Sequence, residues 1–149
     1  MGVRVKVKVE HVSTGRSVVT SALVNTGFEA RRPTVRMPVG LARELGVTDE
    51  DLRTAEEAVF IVGDGRAVHF TVLRDAFRIS VEAEDRIEGP VLADALILYG
   101  SGELVLNDTL TQLLKIVPAM PRDGLWRFSD EPPDRLREST ERRVWHPRP

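Results

Sequence analysis

Ala22-Leu23-Val24-Asn25-Thr26-Gly27-Phe28 is an apolar run that ends in a small polar turn. The run reads as a strand delivering Asn25 to the end of a sheet. Asn, Thr and Gly are the residues that close strands into turns, and Gly27 allows a backbone path where a Cβ would clash. By itself the string is an ordinary strand-to-loop turn. Its weight comes from the elements on either side.

Upstream, Val3, Val5, Val7 and Val9 alternate with Arg4, Lys6, Lys8 and Glu10. This period of two predicts a half-buried strand with one wet face. Ser13-Thr14-Gly15-Arg16 supplies a turn, and Ser17 to Val24 is the return strand of a hairpin. Downstream, a polar loop reaches Pro33 and Thr34 to Met37 is a short strand. Pro38 then opens a helix over Val39 to Leu45, with Gly46 at its C-terminal cap. Asp49-Glu50-Asp51 reads as a solvated loop or helix start. Ala58 to Val62 and Ala67 to Leu73 form a second hairpin around Gly63-Asp64-Gly65-Arg66, and Asp75 to Glu84 is expected to hold a third strand pair. Glu88-Gly89-Pro90 breaks the pattern before the apolar run Val91 to Tyr99. Leu104 to Leu106 is a short inner strand, followed by a helix over Thr109 to Lys115 capped by Asn107 or Asp108. Leu125 to Phe128 is the last strand. The expected fold is all-β, a small barrel with two short helices, in one domain over residues 1–128. From Ser129 to Pro149 five acids and five arginines cancel, which predicts a flexible charged tail, with or without a short helix at Arg135 to Arg143.

Composition excludes several functions. The 149 residues carry 21 basic and 23 acidic side chains, so there is no polyanion-binding footprint and no nucleic-acid partner is expected. The absence of cysteine removes disulfides, thiolate catalysis and Cys-based metal sites. His11, His69 and His146 lack ligand spacing, and neither a metal nor a cofactor is expected. Met1 to Lys6 alternates charge rather than forming a signal-peptide core, and Asp94 and Glu103 interrupt the most apolar region. A soluble, cytoplasmic protein with no membrane contact is the expectation.

The order of these features resembles the retropepsin-like aspartic peptidases. In that family an apolar run enters Asp-Thr-Gly, a flap hairpin follows, and an inner strand beside the catalytic loop passes into a helix. Leu104-Val105-Leu106-Asn107-Asp108-Thr109-Leu110-Thr111-Gln112-Leu113-Leu114 is similar to that last signature, and Pro38 to Val47 is similar to a helix of cellular members. The likeness spans residues 2 to 128. It implies that Asn25, Thr26 and Gly27 occupy the catalytic loop, with Thr26 hydrogen-bonding across a homodimer. It also implies that Phe28 and the Gly63-Asp64-Gly65-Arg66 tip border a groove for a peptide or protein substrate.

Three departures accompany the likeness. Asn25 stands where the family has its catalytic Asp. Asn107 replaces a Gly, at a position where a tolerance of left-handed backbone is expected. Asp108 replaces an Arg, and Arg31 or Arg32 is expected to pair with it and brace the loop. An aspartic peptidase needs two carboxylates sharing a proton, one from each subunit of a symmetric dimer. An amide cannot act as that base, so the chain as written is expected to be impaired or inactive. Asn25 is then either an engineered change in a peptidase or the residue of a natural non-catalytic relative that binds peptides or assembles. A small β-barrel of another kind is a third reading.

Overall fold

A computed structural model of the chain describes residues 2–25, 27, 30–61 and 63–147. Its elements run β1 (Arg4–His11), β2 (Ser17–Val24), β3 (Thr34–Pro38), α1 (Val39–Glu44), α2 (Asp49–Arg53), β4 (Glu56–Ile61) and β5 (Ala67–Glu82). Then follow β6 (Ile87–Leu98), β7 (Leu104–Leu106), α3 (Asp108–Leu113), β8 (Ile116–Met120), a 3-10 turn (Pro121–Asp123), β9 (Leu125–Phe128) and β10 (Arg137–Glu138).

The molecule is mostly β, and six strands close on themselves in the order β1-β2-β7-β3-β6-β5, with β5 returning to β1. Closure removes the free sheet edges that a hairpin stack would expose. The alternation in β1 sets the inside: Val3, Val5, Val7 and Val9 are almost wholly buried, while Lys6 and Lys8 face water. Val35, Met37, Phe77, Ile79, Leu104 and Leu106 meet them in the same core. Each such side chain contributes about 1.5–3 kcal/mol relative to leaving it exposed. Helix α1 adds Val39, Leu41 and Ala42, and Gly46 ends it at φ +92°, a conformation that suits glycine. Among the described residues no helix is long and apolar enough to cross a membrane.

Several expected boundaries shift. Asp49-Glu50-Asp51 opens a third short helix, α2, through a reciprocal capping box with Thr48. The expected third strand pair does not exist. Residues 67–82 are one long strand that pairs with β4 through its first half and with β1 through its second. Asp75, at φ 48°, puts a bulge between Leu73 and Phe77, and this local irregularity read as a chain break in the sequence. Gly89-Pro90 likewise lies inside β6, near its N-terminal end, rather than breaking the chain before it.

The segment after Ser129 is laid along the barrel, and no helix forms at Arg135 to Arg143. Arg137-Glu138 pairs with Trp126-Leu125, Thr140 N–H donates to Arg4 O at 2.9 Å, and Trp145 exchanges two backbone bonds with Gly102. Trp145 is 8 % exposed, and its Nε1 donates to Thr20 Oγ1 at 3.1 Å. The balanced charges expected to solvate a free tail instead pair with one another and with the barrel: Arg137 holds Glu131 of the same segment at 2.6 Å and Asp85 of the β5–β6 turn at 2.7 Å.

Candidate functional site

Strand β2 ends at Val24 and presents Asn25 in exposed backbone beyond the sheet. Asn25 N–H reaches Leu106 O at 3.4 Å, where β7 passes between β2 and β3. Asn25 Oδ1 accepts from Gly27 N–H at 3.0 Å, a side-chain turn that closes the loop on itself. Thr26 and Phe28, expected in the loop and the groove, lie outside the described residues.

Asn107 organises the chain beyond that loop. It is fully buried, and its Oδ1 accepts from Thr34 N–H at 3.1 Å and from Leu110 N–H at 2.9 Å. Its Nδ2 donates to Arg32 O at 2.9 Å and Ala30 O at 3.4 Å, while Thr109 Oγ1 donates to Ala30 O at 2.6 Å. One amide thus caps α3 and clasps residues 30–34. Its φ of −80° shows that left-handed tolerance is not its role; paired donor and acceptor groups are. An N-cap pattern was visible in the sequence, but not the second strand it would hold.

The expected brace between Asp108 and Arg31 or Arg32 is absent, since neither arginine forms an ion pair with it among the described residues. Asp108 Oδ1 is buried without a hydrogen-bond partner. Arg32 turns instead to Asp94, donating from Nε at 2.7 Å and from an Nη at 3.1 Å, and to Asp75 at 2.6 Å. Asp94 is 1 % exposed and also accepts from Arg74 at 3.0 Å and from Asp75 N–H at 2.8 Å. Burial opposes its ionisation, but the Arg32, Asp75 and Arg74 hydrogen bonds outweigh burial and hold its carboxyl below the ordinary range. Arg74 also pairs with Glu56 at 2.6 Å, which lowers that carboxyl too. Asp94 therefore ties the loop after Asn25 to the base of the β4–β5 hairpin. The sequence showed Asp94 only as a break in an apolar run, which is the signal that could have found it.

That hairpin projects from the barrel with Phe60 and Phe70 in edge contact at 5.6 Å. Its tip is exposed. Gly65 has φ +85°, and Asp64 accepts from Arg66 N–H at 3.1 Å and pairs with its guanidinium at 2.6 Å. A cavity of about 310 Å³ lies between hairpin and loop, lined by Phe60, Val72, Leu96, Thr34, Arg32 and Asp94 among others. Asn25 and Gly63 to Arg66 do not line it; Ala30 to Arg32 and the hairpin base do. Its floor is the outer face of the barrel, where Val72 and Leu96 are at most 5 % exposed although their strand neighbours fill the core. A larger cavity, about 880 Å³, separates the C-terminal segment from the barrel and is lined by equal numbers of acidic and basic side chains. Among the described residues no group of three His, Asp or Glu side chains is placed to hold a metal ion.

The arrangement offers an apolar recess bordered by fixed charges and, outside its lining, an exposed amide that cannot take a proton from water at neutral pH. Against known proteins, no family model matches the chain and no curated protein matches it.

Proposed function

We propose that the chain is a retropepsin-like half-site that works as a homodimer, binds extended peptides between hairpin and loop, and is catalytically impaired by Asn25. The observation that carries this reading is the passage of β7 between β2 and β3, with Leu106 O meeting Asn25 N–H and Asn107 clasping residues 30–34. A loop fixed from behind by an inner strand supports this reading, because that chemistry needs a rigidly held loop in each subunit. A second subunit would supply the other half, because each chain has a single such loop.

Replacing Asn25 by Asp tests the reading. The swap is nearly isosteric, and Oδ1 can still accept from Gly27 N–H. Two carboxylates brought together at a two-fold axis would share a proton, one raised in pKa and the other acting as base. Positioned acid–base chemistry is worth about 10²–10⁴ in rate. Asn25→Asp is therefore expected to digest an unfolded protein in acidic to mildly acidic buffer, while the chain as written does not. Sedimentation should report a dimer for both.

The turn that Gly27 N–H makes with Asn25 Oδ1 needs only an acceptor oxygen, so the loop stands without a carboxylate, and a natural non-catalytic relative is the second reading. A folded, dimeric Asn25→Asp variant that cleaves nothing from acidic to neutral pH would leave this binding or assembly role and remove the peptidase.

A further inference from the structure

We propose that Arg36 is the specificity residue of this groove and that it recognises a carboxylate on the bound peptide. The inference rests on the peptide-groove reading above and names the class of ligand. Val35 and Met37 point into the barrel core, so Arg36 stands on the outer face of β3. Its cross-strand partners are Leu96 on one side and Val105 on the other, both buried. Thr34, two residues earlier on the same face, lines the 310 Å³ cavity together with Leu96. Arg36 therefore stands just outside the cavity lining, beside Thr34 and Leu96, which belong to it.

Its Nε is buried and has no hydrogen-bond partner. Arg36 also forms no ion pair among the described residues, unlike its neighbours. Arg32 is held by Asp94 and Asp75, and Arg74 by Asp94 and Glu56. Among the described residues Arg31 has no carboxylate partner either, but it is exposed and water can serve it. A guanidinium with a desolvated N–H is costly to keep unless an acceptor arrives. The fork of an arginine fits one acceptor geometry best, the two oxygens of a carboxylate. An apolar recess beside a guanidinium whose Nε is unpaired selects a peptide with a large apolar side chain next to a carboxylate. That carboxylate comes from Asp, Glu or the peptide's C-terminus.

The test is direct binding to the chain as it stands, followed by fluorescence anisotropy. Acetylated, amidated peptides carrying Leu or Phe beside Glu are compared with the same peptides carrying Gln. A third set has Gln and a free C-terminal carboxylate. Glu peptides, free-carboxylate peptides or both are expected to bind about tenfold or more tightly than the neutral set, as a charge-assisted hydrogen bond allows. Which set gains identifies the source of the carboxylate. Arg36→Gln should erase the difference, and Arg36→Lys should keep part of it. Arg78→Gln, the same charge change at the Glu10 pair between β1 and β5, should leave it intact. Equal binding of charged and neutral peptides, or a preference that survives Arg36→Gln, overturns the proposal and leaves the groove standing. Failure of every peptide to bind rejects the groove itself and the inference with it. Should Arg36→Gln not fold, the wild-type comparison and Arg36→Lys still decide.

Discussion

Asn107 sets more of the local geometry than any other single side chain near the loop. Its amide satisfies two buried backbone N–H groups and donates to two partly buried carbonyls. Asn107→Ala removes the N-cap of α3, which costs about 0.5–2 kcal/mol. It also strands a buried N–H at Thr34, which adds about 1–3 kcal/mol. Asn107→Asp keeps the acceptor for Thr34 and Leu110 but sets a carboxylate oxygen against the carbonyls of Arg32 and Ala30. Urea unfolding should therefore rank the wild type above both variants. Hydrogen exchange at Thr34 should rise in Asn107→Ala and stay protected in Asn107→Asp. Equal exchange in the two variants would mean that the side-chain acceptor does not hold Thr34. Asn107 was legible from sequence as a cap, because Asn before a helix has a local cause. Its hold on residues 30–34 was not, because those residues are more than seventy positions away, as the Arg32 contact shows.

At the scale of elements, the hairpins, the inner strand and two of the three helices follow from period and punctuation, since those signals are local. The length of β5 does not follow, because Asp75 looks like a turn residue until its N–H is seen bonded to Asp94. Asp94 holds a loop and a hairpin together through Arg32 and Arg74, and the linkage should respond to pH. Its folded pKa lies below the unfolded value, so it stabilises the fold above the unfolded value, near pH 4. That contribution fades as pH falls through the folded pKa. Glu56 is lowered in the same direction and adds to the effect. Thermal stability is expected to be level from neutral pH to about 5 and to decline below about 4. Asp94→Asn should lose about 1–3 kcal/mol at neutral pH, allowing for the half-exposed arginines, and should flatten the acid decline. A variant with an unchanged acid slope would place the pH response elsewhere in the molecule.

On the whole-molecule scale, the C-terminal segment is a strap across the barrel, and its docking depends on contacts that no local pattern announces. Gly40, inside α1, is buried with the carbonyl of His146 directly where a Cβ would stand. Trp145 is fixed between Gly102 and Thr20, Arg143 lies 3.8 Å from its ring centre, and Arg143 N–H donates to Ser21 Oγ at 2.8 Å. Trp145 sits in a charge-rich stretch of sequence that offers no local partner for it, since its partners lie on β2 and the turn before β7. Gly40→Ala isolates the strap from the core. The obstacle is backbone rather than a flexible side chain, so either helix or strap must move, and the strap is the weaker element. Overpacking of this kind costs about 1–3 kcal/mol when it cannot be relieved, and less when a terminal segment lifts away. The variant should keep the barrel's circular dichroism, shift part of its tryptophan emission to the red and become sensitive to protease within residues 139–147. Removing the chain after Phe128 should go further, because it also takes Glu131, Arg137 and the hydrogen bond from Trp126 Nε1 to Glu138 O at 3.2 Å. Trp126 alone, only 4 % exposed, would then lose part of its cover. If Gly40→Ala and the truncated chain both melt at the wild-type temperature, the strap rests on the barrel without stabilising it. If only the truncation melts early, stability comes from the Arg137 cluster, and the Trp145 end is the part free to exchange with another partner.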